Sequence, residues 1–332
     1  MRMFPFTFRS IEELELGERW RVVFEERWPH YREWFLREGE EARPSYATSA
    51  RMLRAHMPEL VPAYERVVEL AGGGDLAARM LSLYKPPPYL AACSQGAWTR
   101  DGGPLLARNY DYAPSRFEGI VWSTRLLDRR VIGMSDCLWG LLDGMNDAGL
   151  AVSLAFGGQI TLGPGFGIPL VLRYVLEVCG SAAEARDTLA RLPVHMAYNV
   201  TVADRSGDYF TAYLGPDRVP HFTADPVATN TEPPAGPGQV SAPHSQQRRD
   251  VLANLVHDRA VGLEGLVAAF LEPPLYAGHH EHGFGTLYTA VYRPADLTVE
   301  YRWPGSSWRH SIGSFSSGQH HVVLGGSPCP QP

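Results

Sequence analysis

The residues best suited to chemistry lie in one short stretch of the sequence, around Cys93. Cys93 follows Ala92, and an apolar run soon after it ends in Arg-Asn-Tyr-Asp, with Arg108 first and Asp111 last. A thiol attacks a carbonyl carbon only as the thiolate, so a catalytic cysteine needs a base or a positive charge nearby. A guanidinium favours the thiolate, and a carboxylate can orient a base. We therefore hypothesise that Cys93 is a nucleophile; the alternative is that Arg108 and Asp111 form a surface ion pair.

The base can be the α-amine of Cys93 itself, if Cys93 becomes the first residue of a chain. An α-amine has a pKa of about 8 and can take the thiol proton directly or through a water. The thiol can attack the Ala92 carbonyl, and hydrolysis of the resulting thioester leaves Cys93 with a free amine. The small side chain of Ala92 leaves that carbonyl accessible. The sequence thus predicts a self-cleavage site between Ala92 and Cys93.

The other three cysteines have no context that favours chemistry. Cys137 and Cys179 are interpreted as small buried hydrophobic residues, and Cys329 as a free thiol in a Pro-rich tail. None of the four has the close spacing of a zinc knuckle or a redox pair.

The composition of the chain limits the classes of function that it can have. The chain has 332 residues, a hydrophobic fraction of 45% and a charged fraction of 20%, which is typical of a globular protein with a sizeable core. A net charge of −6 provides no basic surface, so nucleic acid is not an expected partner. No apolar run is long enough to span a bilayer, and the opening residues lack the apolar core of a signal peptide. We expect no membrane partner and a cytoplasmic location.

The residues ahead of Cys93 have a helical pattern. From about Ile11 to Leu83, aromatic and aliphatic residues recur at helical spacing, with Pro58 and Gly72–Gly74 as interruptions. Pro86–Pro88 then predict a stiff, extended connector that leads into Ala92 and Cys93.

After Cys93 the pattern changes to short apolar runs that alternate with turns, as in strands. A helix pair is predicted at about Ile168–Val178 and from the capping box Ser181–Glu184 to Leu192, and two more helices follow residue 245. The predicted strands are Leu105–Arg108, Gly119–Leu127, Arg130–Met134, Leu138–Leu142, Leu150–Leu154, Tyr198–Ala203, Tyr209–Leu214, one or two within Val219–Thr231, Thr286–Tyr292 and Leu297–Trp303. This order predicts an α+β fold in which two antiparallel sheets stack between helices, a four-layer αββα sandwich.

The sequence resembles the N-terminal-nucleophile hydrolases of the acyl-CoA:6-aminopenicillanate acyltransferase family, which are related to choloylglycine hydrolases and penicillin V acylases. The resemblance covers the chain from about Leu53 to about Trp303. The segments that carry it are Met57–Leu60, Leu70–Gly74, Cys93–Ser94, Asp101–Asp111, Asn146–Ser153, Ala228–Asn230, Ser245–Arg248 and Gly285–Tyr292.

The resemblance implies a role for each matching residue. Cys93 is the nucleophile, Asp111 holds its freed amine, and Arg108 lies beside it. The side-chain amide of Asn230 donates to the oxyanion, although an Asn that caps a strand end would look the same. Arg248 lies near the site or is a solvated charge. A second oxyanion donor is expected from the backbone near Leu154–Phe156, where relatives often carry an Asn. Phe156 and Tyr110 are the predicted substrate-binding residues.

The sequence departs from the family pattern at three places. Ala92 stands where relatives commonly have Gly, and Tyr84–Pro88 stand where an Asn-Arg-Glu-like segment is common. Thr231 follows Asn230 where the penicillin-acylating branch often has His. Asn199 is interpreted as a structural residue.

The predicted organisation has three parts. Residues 1–92 form a helical segment that serves as a pro-segment or a small subunit, residues 93–324 the hydrolase domain, and residues 325–332 a disordered tail. The predicted function is that of an autoprocessed cysteine amidohydrolase or N-acyltransferase. It acts on a small acylated substrate, with acyl-CoA as one candidate, needs no cofactor, and keeps its two cleavage fragments associated.

Three alternatives stay open at this point. The mature enzyme can keep its first 92 residues as a lid or require a helper protease. The chain can be an uncleaved, non-catalytic protein that binds acyl ligands on the same scaffold. The third alternative is a zinc-dependent hydrolase that uses His279, His280 and His282, because imidazoles suit that metal; metal binding there is the less favoured interpretation.

Overall fold

The computed structural model describes residues 4–231, 244–278, 280 and 283–325. Most of the described elements are strands. The strands are β1 (Phe4–Glu12), β2 (Ala92–Trp98), β3 (Leu105–Tyr112), β4 (Ile120–Thr124), β5 (Val131–Asp136), β6 (Gly140–Asn146), β7 (Leu150–Phe156), β8 (Tyr198–Asp204), β9 (Tyr209–Leu214), β10 (His221–Thr223), β11 (Val227–Ala228), β12 (Gly285–Arg293), β13 (Thr298–Trp303), β14 (Ser306–Ser311) and β15 (Gly318–Leu324). The α-helices are α1 (Glu18–Leu36), α2 (Tyr46–His56), α3 (Val61–Leu70), α4 (Asp75–Leu81), α5 (Ile168–Val178), α6 (Ala182–Arg191), α7 (Ser245–His257) and α8 (Leu263–Ala269).

The strands form two sheets. One has nine strands in the order β10-β9-β8-β7-β6-β5-β4-β1-β15, and the other has six in the order β11-β2-β3-β12-β13-β14. Neighbouring strands pair antiparallel, except that β1 and β4 are parallel. This matches the expectation of antiparallel sheets.

The two sheets pack face to face, with β2 and β3 against β7 and β8. Helices α5 and α6 cover the outer face of the nine-stranded sheet, and α7 covers the outer face of the six-stranded sheet with α8 beside it. The predicted four-layer αββα architecture is therefore confirmed. No helix within the described residues combines the length and the apolarity that a membrane crossing requires.

The first strand was not expected. Phe4, Phe6 and Phe8 turn inward while the alternate residues Pro5 and Thr7 are exposed, a period of two that belongs to a strand. The prediction of helix from Ile11 is wrong at that residue, because the strand continues through it; the helices begin at Glu18. β1 lies between β15 and β4, so the segment ahead of Cys93 is part of the large sheet.

Most predicted elements after Cys93 are present, but three strands were not predicted: β2, which carries Cys93, and the C-terminal strands β14 and β15. Helix α5 has the predicted bounds, and the Ser181 hydroxyl caps α6 by accepting from the Glu184 amide at 3.3 Å. β14 and β15 are edge strands with several exposed residues, so they carry little of the apolar pattern that identifies a strand. Residues 232–243, most of the predicted tail and Cys329 fall outside the described residues.

Candidate active site

Cys93 is the second residue of β2 and is fully buried. It lies opposite Tyr110 of β3, so the two side chains share the face that looks toward the nine-stranded sheet. Arg108, two residues from Tyr110, is on the same face, and its Nη2 donates to the Cys93 Sγ at 3.2 Å. The strand pairing thus brings the predicted guanidinium to the predicted thiol.

Burial dominates the ionisation of this thiol. Removal from water raises the pKa of Cys93 to about 11, while the charges of Arg108 and Arg248 oppose the shift and that of Asp111 adds to it. In the uncut chain the Cys93 thiol is therefore protonated at neutral pH.

The guanidinium of Arg108 is held between the two sheets by a buried acid. Its Nη1 donates to the Asp143 Oδ2 at 2.7 Å and to the Tyr288 hydroxyl at 2.9 Å, and its Nη2 donates to the Leu154 carbonyl at 2.9 Å. The hydroxyls of Tyr288 and Tyr292 also donate to Asp143. Arg108 and Asp143 are both 0% exposed, so the alternative of a surface ion pair is wrong for Arg108.

The side chain of Asn230 reaches both sides of the Ala92–Cys93 peptide bond. Its Oδ1 accepts from the Cys93 amide at 2.9 Å and from the Arg248 Nη2 at 2.9 Å. Its Nδ2 donates to the carbonyls of Ala91 and Phe156, each at 3.1 Å. Two donors at one end and two acceptors at the other leave a single consistent orientation for this amide.

Two neighbours fix the backbone of Asn230. The Asn199 Nδ2 donates to the carbonyls of Thr229 and Thr231, at 2.8 and 3.2 Å, so the structural interpretation of Asn199 is confirmed. Gly158 approaches from the loop after β7 with a φ of +79°, and a Cβ there would lie 2.4 Å from the Asn230 carbonyl oxygen. Only glycine accommodates both the left-handed backbone and this approach.

Arg248 of α7 is also part of this cluster. Its Nη1 donates to the Cys93 carbonyl and to the Ser94 hydroxyl, both at 2.7 Å. Because Arg248 is 2% exposed, the alternative of a solvated charge is wrong.

Asp111 lies on the opposite face of β3 from Arg108, as the alternation of a strand predicts. Its Oδ2 is 3.6 Å from the Arg248 Nη1, and its Oδ1 accepts from the Thr286 hydroxyl at 2.7 Å. Burial raises the pKa of Asp111, and the Arg248 charge and the Thr286 hydrogen bond oppose that shift. The carboxylate is thus close to the backbone of Cys93 through Arg248.

The two predicted substrate-binding residues occupy different positions. Tyr110 is 1% exposed and stacks among aromatic rings, with the Arg108 Cζ 4.8 Å from its ring centroid. Phe156 ends β7 and contributes its carbonyl to Asn230. Ala92 begins β2 and pairs with Asp111.

The proposed zinc ligands are mostly outside the described residues, since His279 and His282 both fall there. The His280 Nε2 lies 3.0 Å from the Thr286 carbonyl oxygen. Within the part of the chain that the structure describes, no three His, Cys, Asp or Glu residues are grouped as a metal site would require.

Sequence reasoning missed Asp143, Tyr288 and Thr286. A signal was present for Asp143, which is the charged residue in the mainly apolar strand Gly140–Asn146; such a residue needs a partner when buried. Tyr288 and Thr286 had none, because hydroxyl residues are common in strands.

Comparison with known proteins identifies the family. Residues 98–308 match the model of the acyl-coenzyme A:6-aminopenicillanic acid acyl-transferase family. The chain belongs to this family, and the predicted family resemblance is confirmed. A search of curated protein sequences gave no match.

Solved structures with a similar chain path include three acylases and amidases. Penicillin V acylase from Agrobacterium tumefaciens is 16% identical, with a TM-score of 0.46 over 67% of this chain and 86% of its own. An N-acylethanolamine-hydrolyzing acid amidase from Caenorhabditis elegans is 16% identical, with a TM-score of 0.44 over 61% and 93%. A variant of the conjugated bile acid hydrolase from Clostridium perfringens is 13% identical, with a TM-score of 0.48 over 71% and 98%.

Proposed function

We propose that the chain is a cysteine amidohydrolase or acyltransferase that activates itself by cutting the bond between Ala92 and Cys93. The observation that carries this proposal is the Asn230 side chain, which accepts from the Cys93 amide and donates to Ala91 on the other side of that bond. Arg108 supports it, because its guanidinium contacts the thiol that would attack.

The cut consumes one water. The Cys93 Sγ attacks the Ala92 carbonyl carbon, the C–N bond breaks, and the nitrogen keeps the proton that the thiol gave up. The thioester that joins Ala92 to the Cys93 sulfur is then hydrolysed to a carboxylate and a free thiol. Cys93 is left with an α-amine, which can act as its general base.

Release of the cut end would complete the oxyanion site. In the uncut chain, both Nδ2 hydrogens of Asn230 are used, by the carbonyls of Ala91 and Phe156. Once Ala91 moves away, one hydrogen becomes free to donate to the oxyanion of a substrate. An oxyanion donor of this kind is worth about 3 kcal/mol in the transition state.

The substrate reaction then repeats the chemistry of the cut. The α-amine takes the thiol proton, Sγ attacks an amide or thioester carbonyl, and the leaving group departs with that proton. Water or an amine resolves the acyl-enzyme. Arg108 favours the thiolate, and Asp111 holds the amine. Arg248 fixes the positions of the Cys93 carbonyl and the Asn230 side-chain amide relative to each other.

The two fragments would stay together after the cut. β1 belongs to the fragment 1–92, and it pairs with β4 and β15 of the other fragment inside the nine-stranded sheet. The first fragment is therefore better regarded as a subunit than as a discarded pro-segment.

Denaturing electrophoresis and intact mass test the proposal. We expect two species, residues 1–92 and 93–332, that co-elute in gel filtration under native conditions, with Cys93 at the N-terminus of the larger one. Cys93→Ala should stay whole, while Cys179→Ala, the matched buried-thiol control, should be cut. A wild-type chain that stays whole and whose Cys93 does not react with iodoacetamide would instead support the uncleaved ligand-binding alternative.

A further inference from the structure

A cavity of about 250 Å³ lies beside the candidate site, and the mechanism above does not use it. Its walls are aromatic and its floor carries an acid. The lining residues that matter here are Tyr31, Trp34, Tyr89, Tyr112, Asp136 and Cys137. The volume is smaller than the ~300–1,000 Å³ typical of a pocket for a whole small molecule, so it suits one end of a ligand.

One aromatic ring separates the cavity from the thiol. Cys93 lies opposite Tyr110, and the Tyr110 ring centroid is 5.7 Å from that of Tyr112, which lines the cavity. Tyr89, which also lines it, is three residues ahead of Ala92. The cut at Ala92 therefore frees a chain end that forms part of the cavity wall.

The floor holds two acids that share one tyrosine. The Tyr31 hydroxyl donates to the Glu118 carboxylate and lies 3.4 Å from the Asp136 Oδ1. Glu118 also accepts from the Ser135 hydroxyl and the Leu138 amide, and so has several donors. Among the residues that the structure describes, no Lys, Arg or His nitrogen lies within 4 Å of either carboxylate. Asp136 is the member of the pair that reaches the cavity.

A second feature of the cavity is the Tyr89 hydroxyl, since Tyr89 lines it. Within the described chain this hydroxyl interacts with that of Tyr198. A ligand that donates to the Tyr89 oxygen can add a hydrogen bond to that pair.

The rim of the cavity carries mixed charges that are exposed to solvent. They are His30, Glu33, Arg37 and Arg116. Arg37 already donates to the Pro88 carbonyl, and Arg116 interacts with the Tyr112 hydroxyl. Because solvent and salt screen exposed charges, the largely buried Asp136 determines which ligand charge the cavity favours.

We propose that this cavity binds a protonated amino group at one end of the substrate, with Asp136 as its counter-charge. Three kinds of contact are available. The carboxylate can accept charge-assisted hydrogen bonds from the ammonium, the aromatic residues Trp34, Tyr89 and Tyr112 line the cavity around it, and the Tyr89 hydroxyl provides a further acceptor. That the ligand is the substrate rests on the proposed function; the binding site itself does not.

The ionisation of Asp136 gives the site a pH dependence. Burial, with the Glu118 charge adding to it, raises the pKa of Asp136 to about 7, and hydrogen bonds from the Cys137 amide and thiol and from Tyr31 oppose the shift. Tyr89, Tyr110, Tyr112 and Tyr198 also lie near this carboxyl and are neutral at that pH. Since a cation prefers the ionised carboxylate, affinity should rise by about tenfold from pH 6 to pH 8.

Calorimetric titration of the intact Cys93→Ala chain tests the site without any cut or turnover. Benzylamine, which stays protonated across this pH range, should bind at pH 8 at least tenfold more tightly than its neutral isostere benzyl alcohol. Asp136→Asn should weaken benzylamine at least tenfold and remove its pH dependence. Glu33→Gln, which removes an exposed carboxylate from the same cavity, should change affinity less than twofold.

The proposal is overturned if benzylamine and benzyl alcohol bind equally, if neither binds, or if Asp136→Asn binds benzylamine as the parent does. The pH series of benzylamine affinity on the parent needs no variant, so it tests the site even if Asp136→Asn does not fold.

Turnover measurements distinguish a failure of this proposal from a failure of the proposed function. Amides that differ only in a terminal –CH₂NH₃⁺ or –CH₂OH should differ at least tenfold in kcat/KM, whereas binding without any Cys93-dependent turnover would count against the function alone.

Discussion

Two buried polar clusters lie on either side of Tyr110, and they differ in the balance of their charges. The cluster at Cys93 contains two arginines, Arg108 and Arg248, each close to an acid. The cluster at the cavity contains Asp136 and Glu118 without a cation within 4 Å among the described residues. The first is balanced within the protein; the second is not.

The difference indicates what each cluster can do. Buried charges that are paired and hydrogen-bonded are preorganised, so they can stabilise the charge that develops in a reaction without rearranging. An acid that is buried without a counter-charge is costly, and it becomes favourable only when it takes up a proton or meets a cation. The paired cluster at Cys93 therefore suits the thiolate and oxyanion, and the acidic cluster suits a basic ligand.

The largest effect should come from removing one acid of the paired cluster at Cys93. Asp143→Asn leaves the fully buried Arg108 without its counter-charge, and breaking a buried pair in this way costs about 3 to 5 kcal/mol. Removing the negative charge should also lower the pKa of the Cys93 thiol, because the field of Arg108 is no longer offset. Denaturant unfolding measures the first effect, and the pH profile of iodoacetamide alkylation measures the second.

Glu118→Gln is the matched control from the acidic cluster. It removes a buried carboxylate whose neighbour is another acid, so relief of repulsion offsets the altered hydrogen bonds and the cost should be about 1 kcal/mol or less. Equal losses from Asp143→Asn and Glu118→Gln would contradict the comparison. If the pH midpoint of Cys93 alkylation is unchanged in Asp143→Asn, Asp143 stabilises the fold but does not influence the ionisation of the thiol.

The next largest effect should be on turnover, and it concerns the Asn230 Nδ2 hydrogen that the cut would free from the Ala91 carbonyl. Asn230→Asp keeps the acceptor for the Cys93 amide and Arg248 but loses both Nδ2 hydrogens. Turnover should fall about 10²–10³-fold, which is about 3 to 4 kcal/mol, because the oxyanion loses its side-chain donor. The burst of nitrophenol from a 4-nitrophenyl ester measures acylation of Cys93.

Asn109→Asp is the control for that variant. This variant has the same amide-to-carboxylate substitution at a residue on the face of β3 opposite to Arg108. There the Asn109 Nδ2 donates to the carbonyls of Phe270 and Leu275. It should lower stability while acylation per folded molecule stays within about threefold, because the residue does not touch Cys93. A comparable loss of acylation in both variants would show that Asn230 acts only through the fold.

The sequence predicted the active-site side of this comparison far better than the cavity side. Cys93, Arg108 and Asp111 lie within 19 residues of one another on paired strands, so their types and spacing carried the signal. Asn230 and Arg248 lie far away along the chain, and only the family resemblance pointed to them. The alternation of side chains along a strand also accounts for the placement of Arg108 and Asp111 on opposite faces of β3.

The cavity could not be predicted because distant elements form it. Tyr31 lies on α1, Tyr89 in the connector and Asp136 at the end of β5, and no short motif relates them. Cys137 was interpreted as a small buried residue, which its 3% exposure confirms, but its neighbours were not foreseen. β1 was missed for a related reason, since its partners β4 and β15 are more than 100 residues away.

The acidic cluster should also make the stability of the protein depend on pH. The pKa of Asp136 is about 7 in the folded chain and about 3.9 when unfolded, so the folded state binds the proton more tightly. Stability should therefore fall as pH rises from about 4 to 7, by about 2.6 kcal/mol between pH 5 and pH 8. Asp136→Asn should lack this fall, as denaturant midpoints at successive pH values would show.

Buried histidines change the pH dependence of stability in the opposite direction. Their effect is the same in the parent and in Asp136→Asn, so it cancels when the two proteins are compared. Burial lowers the pKa of His195 and of His310 to about 4, so their effect is a loss of stability as pH falls below about 6.5, in both proteins. A ligand sharpens the test. Benzylamine at about 100 times its Kd should restore about 2.7 kcal/mol to the parent at pH 8 and nothing comparable to Asp136→Asn. If both proteins gained equally, the stabilising cation would be binding elsewhere, and the contrast between the two clusters would no longer hold.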